Sequence, residues 1–346
     1  MITIGITTHN RKKIVTMMAQ SLKESWGLED CSIRIYDDAS DEYDESFLRE
    51  LFPNANTIIR HKRNMGASAN IQFMYRDFLN YDDEYLFNAD SDLIYNKAWL
   101  QEGIRLIKQT DGILSLFNTG VHEVTNDLGE ICEKVDVGSA GTLLAKKIVQ
   151  LICEGITYDI DKGFDYAWCR LLRDGGKKFY TSKNSYVQHI GLSGVNSNKN
   201  RFDFGDGYAV DSTLNGQILN DVLNDYSKDM NEYWKIHKDY MYLFPYEYVM
   251  PNSNVVVYGC GNVGKDFLRQ LRASNYCNVV AIVDGSMNPE LNTIRPSELV
   301  NINYDYIVIA TINTGFIDEI IENLKKLNIY DENRVIVNIN YPKVPL

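Results

Sequence analysis

The sequence predicts an α/β protein of two domains, each built around a mostly parallel sheet. Strand-like and helix-like stretches alternate through the first part of the chain, which is the pattern of successive βα units. A second alternation begins at Asn254 with a strand, a glycine turn and a helix. The length of 346 residues agrees with two domains, since domains commonly have about 100–200 residues.

Four strands and three helices are predicted at the start of the chain. The runs that predict the strands are residues 2–7, 31–36, 56–60 and 84–88. The runs that predict the helices are residues 12–26, 46–52 and 68–79. In the third helix, four apolar residues recur at the spacing of one helix face. They are Ile71, Met74, Tyr75 and Phe78.

The middle of the chain predicts less regular structure. Short strands are expected at residues 113–117, 141–144, 178–181 and 185–189. A helix is expected over 165–173, and the composition over 196–208 is typical of a loop. We expect three parts, namely a first domain over residues 1–210, a helical Tyr-rich connector over 211–251, and a second domain over 252–346.

Polar clusters follow three of the predicted strands at the point where each strand ends. They are residues 7–10, Asp37 with Asp38, and residues 90–92. Ligands of open α/β sheets bind beyond the carboxyl ends of the strands. The three clusters should therefore meet at one rim of the sheet, which predicts a binding site there.

The last of these clusters has the chemistry of a metal–diphosphate site. Asp90 and Asp92 flank Ser91 directly after an apolar strand. Carboxylate oxygens suit hard cations such as Mn²⁺ and Mg²⁺, and such a cation can be shared with a diphosphate. An acidic surface loop is the alternative. Asp37 and Asp38 could similarly accept from a base or ribose, or form a solvated turn or helix cap.

Six segments in this order resemble family-2 glycosyltransferases of the GT-A fold over residues 1–195. They are ITIGITTHNR, IYDDASDEYD, NMGASANIQF, FNADSDL, KGFDYAWCRLLRDGGKKFY and SYVQHIG. The sequence departs from the family pattern at Thr7, where proline is usual, and at Ala39, where glycine is frequent. Phe164-Asp165 also stands where a Glu-Asp pair is usual.

The resemblance implies an inverting, metal-dependent transfer of sugar from a nucleotide-sugar donor, expected to be a UDP-sugar. The acceptor would be a glycan or a lipid-linked molecule in surface polysaccharide or glycoconjugate synthesis. Asp165 would be the catalytic base, which takes a proton from the acceptor hydroxyl. A helix cap is its alternative reading, and Asp159 and Asp161 are nearby acids.

The resemblance also implies the ligand-binding residues. Those expected at the donor nucleotide are Thr7, Thr8, Asn10, Arg11, Asp37, Asp38, Asn64, Gly66, Asn70, Asp90 and Ser91. Those expected at a Mn²⁺ or Mg²⁺ cofactor are Asp90, Asp92 and His189. A core position is the alternative reading of His189.

The second domain contains a dinucleotide fingerprint. Gly259, Gly261 and Gly264 form a G-x-G-x-x-G run between strand and helix, and Asp284 follows at the ribose-acid spacing. Further strands are predicted at 278–284, 304–310 and 334–338, with a helix over 317–327. The domain resembles small Rossmann-like domains appended to polysaccharide-biosynthesis enzymes, and it could hold a second nucleotide.

An NAD-dependent sugar-nucleotide oxidoreductase is the alternative function that this fingerprint raises. That function needs a Tyr-x-x-x-Lys pair or a similar acid, which the sequence does not provide. Close packing of the helix on the strand would explain the glycines without any ligand.

Composition narrows the class of protein further. A net charge of −12 disfavours nucleic-acid binding, which needs clustered basic residues. The six cysteines form no C-x-x-C pair, which indicates reduced thiols in a cytoplasmic protein. We expect neither a signal peptide nor a transmembrane segment. Peripheral contact with the inner face of the membrane, and a homo-oligomer, stay open.

Overall fold

A computed structural model describes residues 1–160, 163–191, 203–229 and 240–345 of the chain. The chain forms two compact units. The first comprises Met1–Gly191 with Gly205–Tyr208, and the second contains the residues from Ala209 onwards. Parts of the predicted connector, the helix Thr213–Asp229 and the strand Tyr240–Tyr242, belong to the second unit. The division into 1–210, 211–251 and 252–346 stays a prediction.

Strands and helices alternate through the first unit. The strands are β1 (Ile2–Thr8), β2 (Cys31–Asp37), β3 (Ala55–Arg60), β4 (Tyr85–Asp90), β5 (Leu93–Tyr95), β6 (Ile113–Ser115), β7 (Val124–Asp127), β8 (Ile131–Lys134), β9 (Thr142–Ala145), β10 (Phe179–Ser182) and β11 (Val187–His189). The helices are α1 (Lys12–Lys23), α2 (Glu45–Leu51), α3 (Ala67–Phe78), α4 (Trp99–Ile107), α5 (Lys146–Gly155) and α6 (Phe164–Asp174).

Some elements differ from the sequence-based expectation. Helices α4 and α5 were not predicted, because helices of nine and ten residues repeat the helical period only two or three times. The hairpin of β7 and β8 was also not predicted; β7 is exposed along its whole length and lacks the apolar alternation of a half-buried strand. Strand β4 continues to Asp90 instead of ending at Asn88, so the first acid of the cluster belongs to the sheet itself.

Nine of the described strands form one sheet in the order β3-β2-β1-β4-β9-β6-β10-β8-β7. Strand β1 pairs in parallel with β2 and β4, β2 with β3, and β6 with β10. Strands β8 and β9 run antiparallel to their neighbours. Most strands therefore run in one direction, which confirms the predicted α/β fold with a mostly parallel sheet.

Helices cover both faces of this sheet. Ile2, Ile4 and Ile6 of β1 are buried with apolar residues of α1 and α4 on one face. Apolar residues of α3, α5 and α6 form the core on the other face. Gly5 points to that second face, where a side chain would lie 2.4 Å from the sulfur of Met74. The glycine thus lets α3 pack close to the central strand.

The second unit has a four-stranded parallel sheet in the order β14-β13-β15-β16. Its strands are β12 (Tyr240–Tyr242), β13 (Asn254–Tyr258), β14 (Asn278–Val283), β15 (Tyr306–Ile309), β16 (Val335–Ile336) and β17 (Lys343–Pro345), of which β12 and β17 form a separate pair. Its described helices are α7 (Thr213–Asp229), α8 (Asn262–Ser274) and α9 (Thr314–Lys326). The second predicted α/β alternation is thus present.

Two further expectations can be compared with the described residues. Much of the predicted loop 196–208 lies outside them, and residues 203–208 form no helix or strand. No helix in the described part of the chain combines the length and the apolar character that crossing a membrane requires.

Candidate active site

The carboxyl ends of β1, β2 and β4 meet at one rim, as the strand pattern predicts. Thr7 lies opposite Asp90 in the pairing of β1 with β4, and Thr8 lies opposite Asp37 in the pairing of β1 with β2. The Thr7 hydroxyl donates to Asp90 Oδ1 at 3.5 Å. Three polar clusters far apart in sequence are therefore neighbours.

Asp37 stabilises this rim from beneath through hydrogen bonds to its neighbours. Its fully buried carboxylate accepts hydrogen bonds from Thr8 Oγ1 at 2.9 Å, Ser40 Oγ at 2.5 Å and Arg60 Nε at 2.7 Å. Arg60 also donates to the carbonyl groups of Ser40 and Tyr43. The carboxylate joins three segments and faces protein on every side, so the structure gives it no free oxygen for a nucleotide.

Asp38 fixes the turn that leads into α3. Its two oxygens accept from the backbone N–H groups of Met65 at 2.7 Å and Gly66 at 2.8 Å. Gly66 has φ 90°, a left-handed conformation that favours glycine. Asn64, in the same turn, accepts from Gly66 and contacts His9 Nε2 at 3.0 Å. The predicted nucleotide residues Asp38, Asn64 and Gly66 thus form one connected edge of the rim.

Asn70 lies deeper than a ligand contact would. It is 2% exposed, donates from Nδ2 to the Tyr36 carbonyl at 2.9 Å, and contacts His61 Nε2 at 3.0 Å through Oδ1. These bonds tie α3 to the end of β2. Asn70 therefore supports the rim from below.

Asn10 and Arg11 turn the chain sharply between β1 and α1. Both have left-handed backbones, with φ 50° and φ 56°. Such a conformation costs a non-glycine residue about 1–3 kcal/mol. The Asn10 side-chain oxygen accepts from the backbone N–H groups of Asp41 and Glu42, and the backbone N–H of Asn10 donates to Ser40 Oγ. These bonds hold the strained turn and direct Arg11 toward Ser91 and Asp92, which follow β4.

Asp90 and Asp92 have different surroundings. Asp90 Oδ1 accepts from Asn88 Nδ2 at 3.1 Å as well as from Thr7. Asp92 Oδ2 accepts from Arg11 Nη1 at 2.8 Å, and His189 Nε2 lies 3.1 Å from Asp92 Oδ1. The Asp92 side chain is 7% exposed, so it is a buried carboxylate between two cationic or polar groups.

Gly191 closes the remaining side of Asp92. A side chain at this position would place its first carbon 2.0 Å from Asp92 Oδ2, which no real contact allows. The Gly191 N–H donates to His189 Nδ1 at 3.2 Å. We therefore assign the His189 proton to Nε2, which faces Asp92.

Burial and charge move the pKa values of these acids apart. Burial and the charge of Asp92 raise the pKa of Asp90 to about 6. Burial acts in the same direction on Asp92, but His189 and Arg11 hold the pKa of Asp92 well below its usual range. Burial opposes the charged form of His189, and the attraction of Asp92 outweighs it, so the pKa of His189 is raised. Asp92 therefore stays charged at acidic pH values at which Asp90 is protonated.

The residues at the rim suit a divalent metal in chemical type. Two carboxylates and one imidazole are common ligands of Mn²⁺, and buried Asp92 Oδ1 accepts no well-aligned hydrogen bond. The described residues do not bring three or more His, Cys, Asp or Glu side chains together as a metal cluster. A metal at Asp92 would therefore require Arg11 or His189 to move.

Asp165 is in the first turn of α6, and its alternative reading as the helix cap is not what the structure shows. The cap position is Gly163, whose φ is 72°. The carboxylate of Asp165 is partly exposed and accepts from the adjacent Tyr166 N–H at 3.0 Å. Of the two nearby acids, Asp159 pairs with Arg76 at 3.0 Å, and Asp161 lies outside the described residues.

Several residues of the rim were not predicted. Asn88 and Arg60 hold Asp90 and Asp37 in place, and Gly191 makes room for Asp92. The alternation of strand residues gave a signal for Asn88, which shares a sheet face with Asp90 two residues later. The contact of Arg60 depends on the pairing of β2 with β3, and the position of Gly191 depends on the segment after β11. The sequence pattern reveals neither.

The glycine turn of the second unit is used mainly for packing. A side chain at Gly264 would lie 2.0 Å from the Gly259 carbonyl, and one at Gly259 would lie 3.1 Å from the Ala310 carbonyl. Gly261 has open space around it. Asp284 accepts from the Cys260 N–H at 2.8 Å, so the predicted ribose acid bonds to its own turn. Nucleotide binding here stays a prediction.

Comparisons with known protein families agree with the first unit. Residues 3–151 match the family described as Glycosyl transferase family 2. This match covers less than half of the 346-residue chain. Together with the α/β sheet and its rim, it defines a GT-A type glycosyltransferase domain. The protein is thus a glycosyltransferase, and its residues 3–151 are similar to family 2.

The second unit matches a different family, described as C2185-like, N-terminal, over residues 251–336. Its assignment as a Rossmann-like domain appended to polysaccharide-biosynthesis enzymes stays a prediction. No curated protein sequence matches the chain significantly.

Solved structures with some similarity include three glycosyltransferases. S. aureus TarS 1–349 in complex with UDP-GlcNAc has 14% identity and a TM-score of 0.42, over 66% of this chain and 66% of that chain. GalNAc-T7 with UDP, GalNAc and Mn²⁺ has 12% identity and a TM-score of 0.46, over 54% and 42%. Mannosyltransferase PcManGT from Pyrobaculum calidifontis, with GDP-Man and Mn²⁺, has 11% identity and a TM-score of 0.34, over 43% and 45%. Likeness at this level does not establish a common fold.

Proposed function

We propose that this glycosyltransferase inverts the anomeric centre and uses a UDP-sugar donor with Mn²⁺ or Mg²⁺. The acceptor is a glycan or lipid-linked molecule in surface polysaccharide or glycoconjugate synthesis. The observation that carries the proposal is the meeting of three strand ends around Asp90 and Asp92. We further propose action in the cytoplasm, in peripheral contact with the inner face of the membrane.

The residues of the rim divide into binding and supporting roles in this proposal. Thr7, Arg11, Asn64 and Ser91 surround the donor nucleotide and its diphosphate. Asp37 and Asn70 hold the strand ends in place and act only indirectly, because their polar atoms are already bonded to protein.

Asp90 and Asp92 would hold the metal, together with His189 once its Nε2 has lost the proton that faces Asp92. A divalent cation at that place supplies positive charge to the leaving nucleoside diphosphate. Asp165 removes the proton from the acceptor hydroxyl as that oxygen attacks the sugar. Its partial exposure and its single local hydrogen bond leave one carboxylate oxygen open to an acceptor.

The described residues of the second unit do not support the alternative function as an oxidoreductase. Asp284 is bonded to the glycine turn, and two of the three fingerprint glycines are explained by packing. We keep a second nucleotide there as a secondary hypothesis, without a catalytic role.

A donor screen tests the proposed function. Purified protein is incubated with UDP-, GDP- and other nucleotide sugars and a panel of glycan and lipid-linked acceptors, with Mn²⁺, Mg²⁺ or excess chelator. We expect metal-dependent release of a nucleoside diphosphate, abolished in Asp92→Asn and retained in Asp41→Asn, an exposed acid of the neighbouring turn. Full activity in chelator would remove the metal from the proposal, and equal loss in both variants would remove Asp92.

A further inference from the structure

Arg11, directly before α1, reaches Ser91 and Asp92, the two residues that follow β4. Its Nη1 donates to Asp92 Oδ2 at 2.8 Å, and its Nη2 lies 3.3 Å from Ser91 Oγ. The arginine side chain is 30% exposed and the Asp92 side chain is 7% exposed. A buried carboxylate is thus covered on its outer side by one partly exposed guanidinium.

The backbone around Arg11 is built to hold this position. Arg11 and Asn10 both have positive φ, and Asn10 is held by the turn at residues 40–42. The next residue, Lys12, donates its N–H to Glu42 Oε2 at 2.8 Å. A strained backbone with bonds on both sides indicates a fixed placement rather than an incidental surface contact.

The other neighbours of Asp92 leave little room for a cation. Gly191 packs its backbone against Oδ2, where even one added carbon would clash. His189 Nε2 stands at Oδ1, and the Asp92 carbonyl accepts from the Ile190 N–H. Arg11 is a long side chain that can rotate away without disturbing a strand. A cation that approaches Asp92 Oδ2 must therefore take the place of the guanidinium.

We propose that Arg11 and a divalent cation compete for Asp92, and that a nucleoside diphosphate releases Arg11 by offering it phosphate oxygens instead. This inference rests on the proposed function and deepens it. Guanidinium groups bind phosphate in a bidentate manner, so the diphosphate is a suitable second partner. Metal and nucleotide then strengthen each other's binding, because coupling between two ligands is reciprocal.

Mn²⁺ binding without any turnover provides the test. Free Mn²⁺ is measured by electron paramagnetic resonance as metal is titrated into the full-length protein, with and without UDP. The variants are Arg11→Gln and Arg11→Lys, and Lys12→Gln is the matched control. Lys12 carries the same charge one residue away, but its ammonium lies 4.6 Å from the Phe47 ring centroid instead of at the rim.

In the wild type we expect UDP to tighten Mn²⁺ binding by about tenfold or more. Arg11→Gln should bind Mn²⁺ alone about tenfold more tightly than the wild type and should respond less to UDP. Arg11→Lys keeps the charge but loses the planar guanidinium that reaches both Asp92 and Ser91. Its Mn²⁺ affinity should therefore lie between those of the wild type and Arg11→Gln. Lys12→Gln should stay close to the wild type.

Three results would overturn the inference. Equal Mn²⁺ affinity in Arg11→Gln and wild type would show that Arg11 does not compete. An equal gain in Lys12→Gln would show a general effect of charge. Absence of Mn²⁺ binding in every variant, with UDP present, would remove the metal from the proposed function as well. If Arg11→Gln melts at a much lower temperature, Arg11→Lys decides between the outcomes.

Discussion

The rim of the first unit and the glycine turn of the second unit contain similar structural features, but the two regions arrange them differently. Both lie beyond the carboxyl ends of parallel strands, and both include a carboxylate that accepts from backbone N–H groups of a glycine-containing turn. The rim adds acids from a third strand and a strained turn that carries Arg11. In the described residues of the glycine turn, Asp284 is bonded to the turn itself.

This difference shows that a motif and a site are separate things. At the glycine turn, steric contacts explain Gly259 and Gly264, and the local bonds of Asp284 explain the acid. At the rim, local packing explains Asp37 and Asp38 but leaves buried Asp92 Oδ1 without a well-aligned donor. That oxygen faces His189 Nε2 at 3.1 Å, so the rim contains a buried carboxylate held by side chains of distant segments, whereas Asp284 bonds within its own turn.

The largest effect should come from the proposed base. Asp165→Asn removes the group that accepts the acceptor proton, so transfer should fall by about 10²–10⁴-fold. The affinity for UDP with Mn²⁺ should stay near the wild-type value, because the base acts in the transition state. Single-turnover transfer and calorimetric UDP binding measure the two quantities. Asp174→Asn, at the other end of α6, is the control, and an equal loss in that variant would contradict the role of Asp165.

Substitution of the buried Asp37 should lower the stability of the fold and not the rate of the chemical step. Asp37→Asn leaves Arg60 without its anion in a pair whose carboxylate is fully buried. The first unit should lose about 3 kcal/mol of unfolding free energy, measured by urea denaturation. Asp92→Asn should lower the free energy of unfolding less than Asp37→Asn does, and it should lower transfer activity more. A reversed pattern would show that Asp37, and not Asp92, faces the donor.

Glycine substitutions separate packing from ligand binding in the second unit. Gly264→Ala places a carbon 2.0 Å from the Gly259 carbonyl, and should destabilise this unit by about 1–3 kcal/mol. Gly261→Ala enters open space and should change stability by less than about 1 kcal/mol. Transfer per folded molecule should be unchanged in both. If Gly261→Ala abolished transfer in a well-folded protein, the chemistry would belong to the second unit.

The smallest effect concerns pH. The raised pKa of Asp90, about 6, means that its charged form is disfavoured in the metal-free fold. Its contribution to stability is therefore present at low pH and is lost as pH rises through 6. Mn²⁺ affinity should change in the opposite direction and increase between pH 5 and pH 7, by at most about tenfold per unit. Asp90→Asn should flatten the dependence of Mn²⁺ affinity on pH between pH 5 and pH 7. An unchanged dependence would contradict the assignment of this pH effect to Asp90.

The sequence predicted the rim because each of its parts has a local signal. Apolar alternation marks β1, β2 and β4, and the acids follow where the alternation stops. The pair of Arg11 with Asp92 had no such signal, since the residues are 81 positions apart and meet only through the two left-handed residues after β1. The need for glycine at position 191 depends on the pairing of β11 with β5, which no periodicity reveals.

Hydrogen exchange with UDP and Mn²⁺ tests most directly where the donor binds. Amide exchange is compared between the free protein and the protein saturated with both ligands. We expect slower exchange in peptides that cover residues 7–11, 64–66 and 88–92, and unchanged exchange over 259–264. Protection of 259–264 with no change at the first three segments would contradict the account and place nucleotide binding in the second unit.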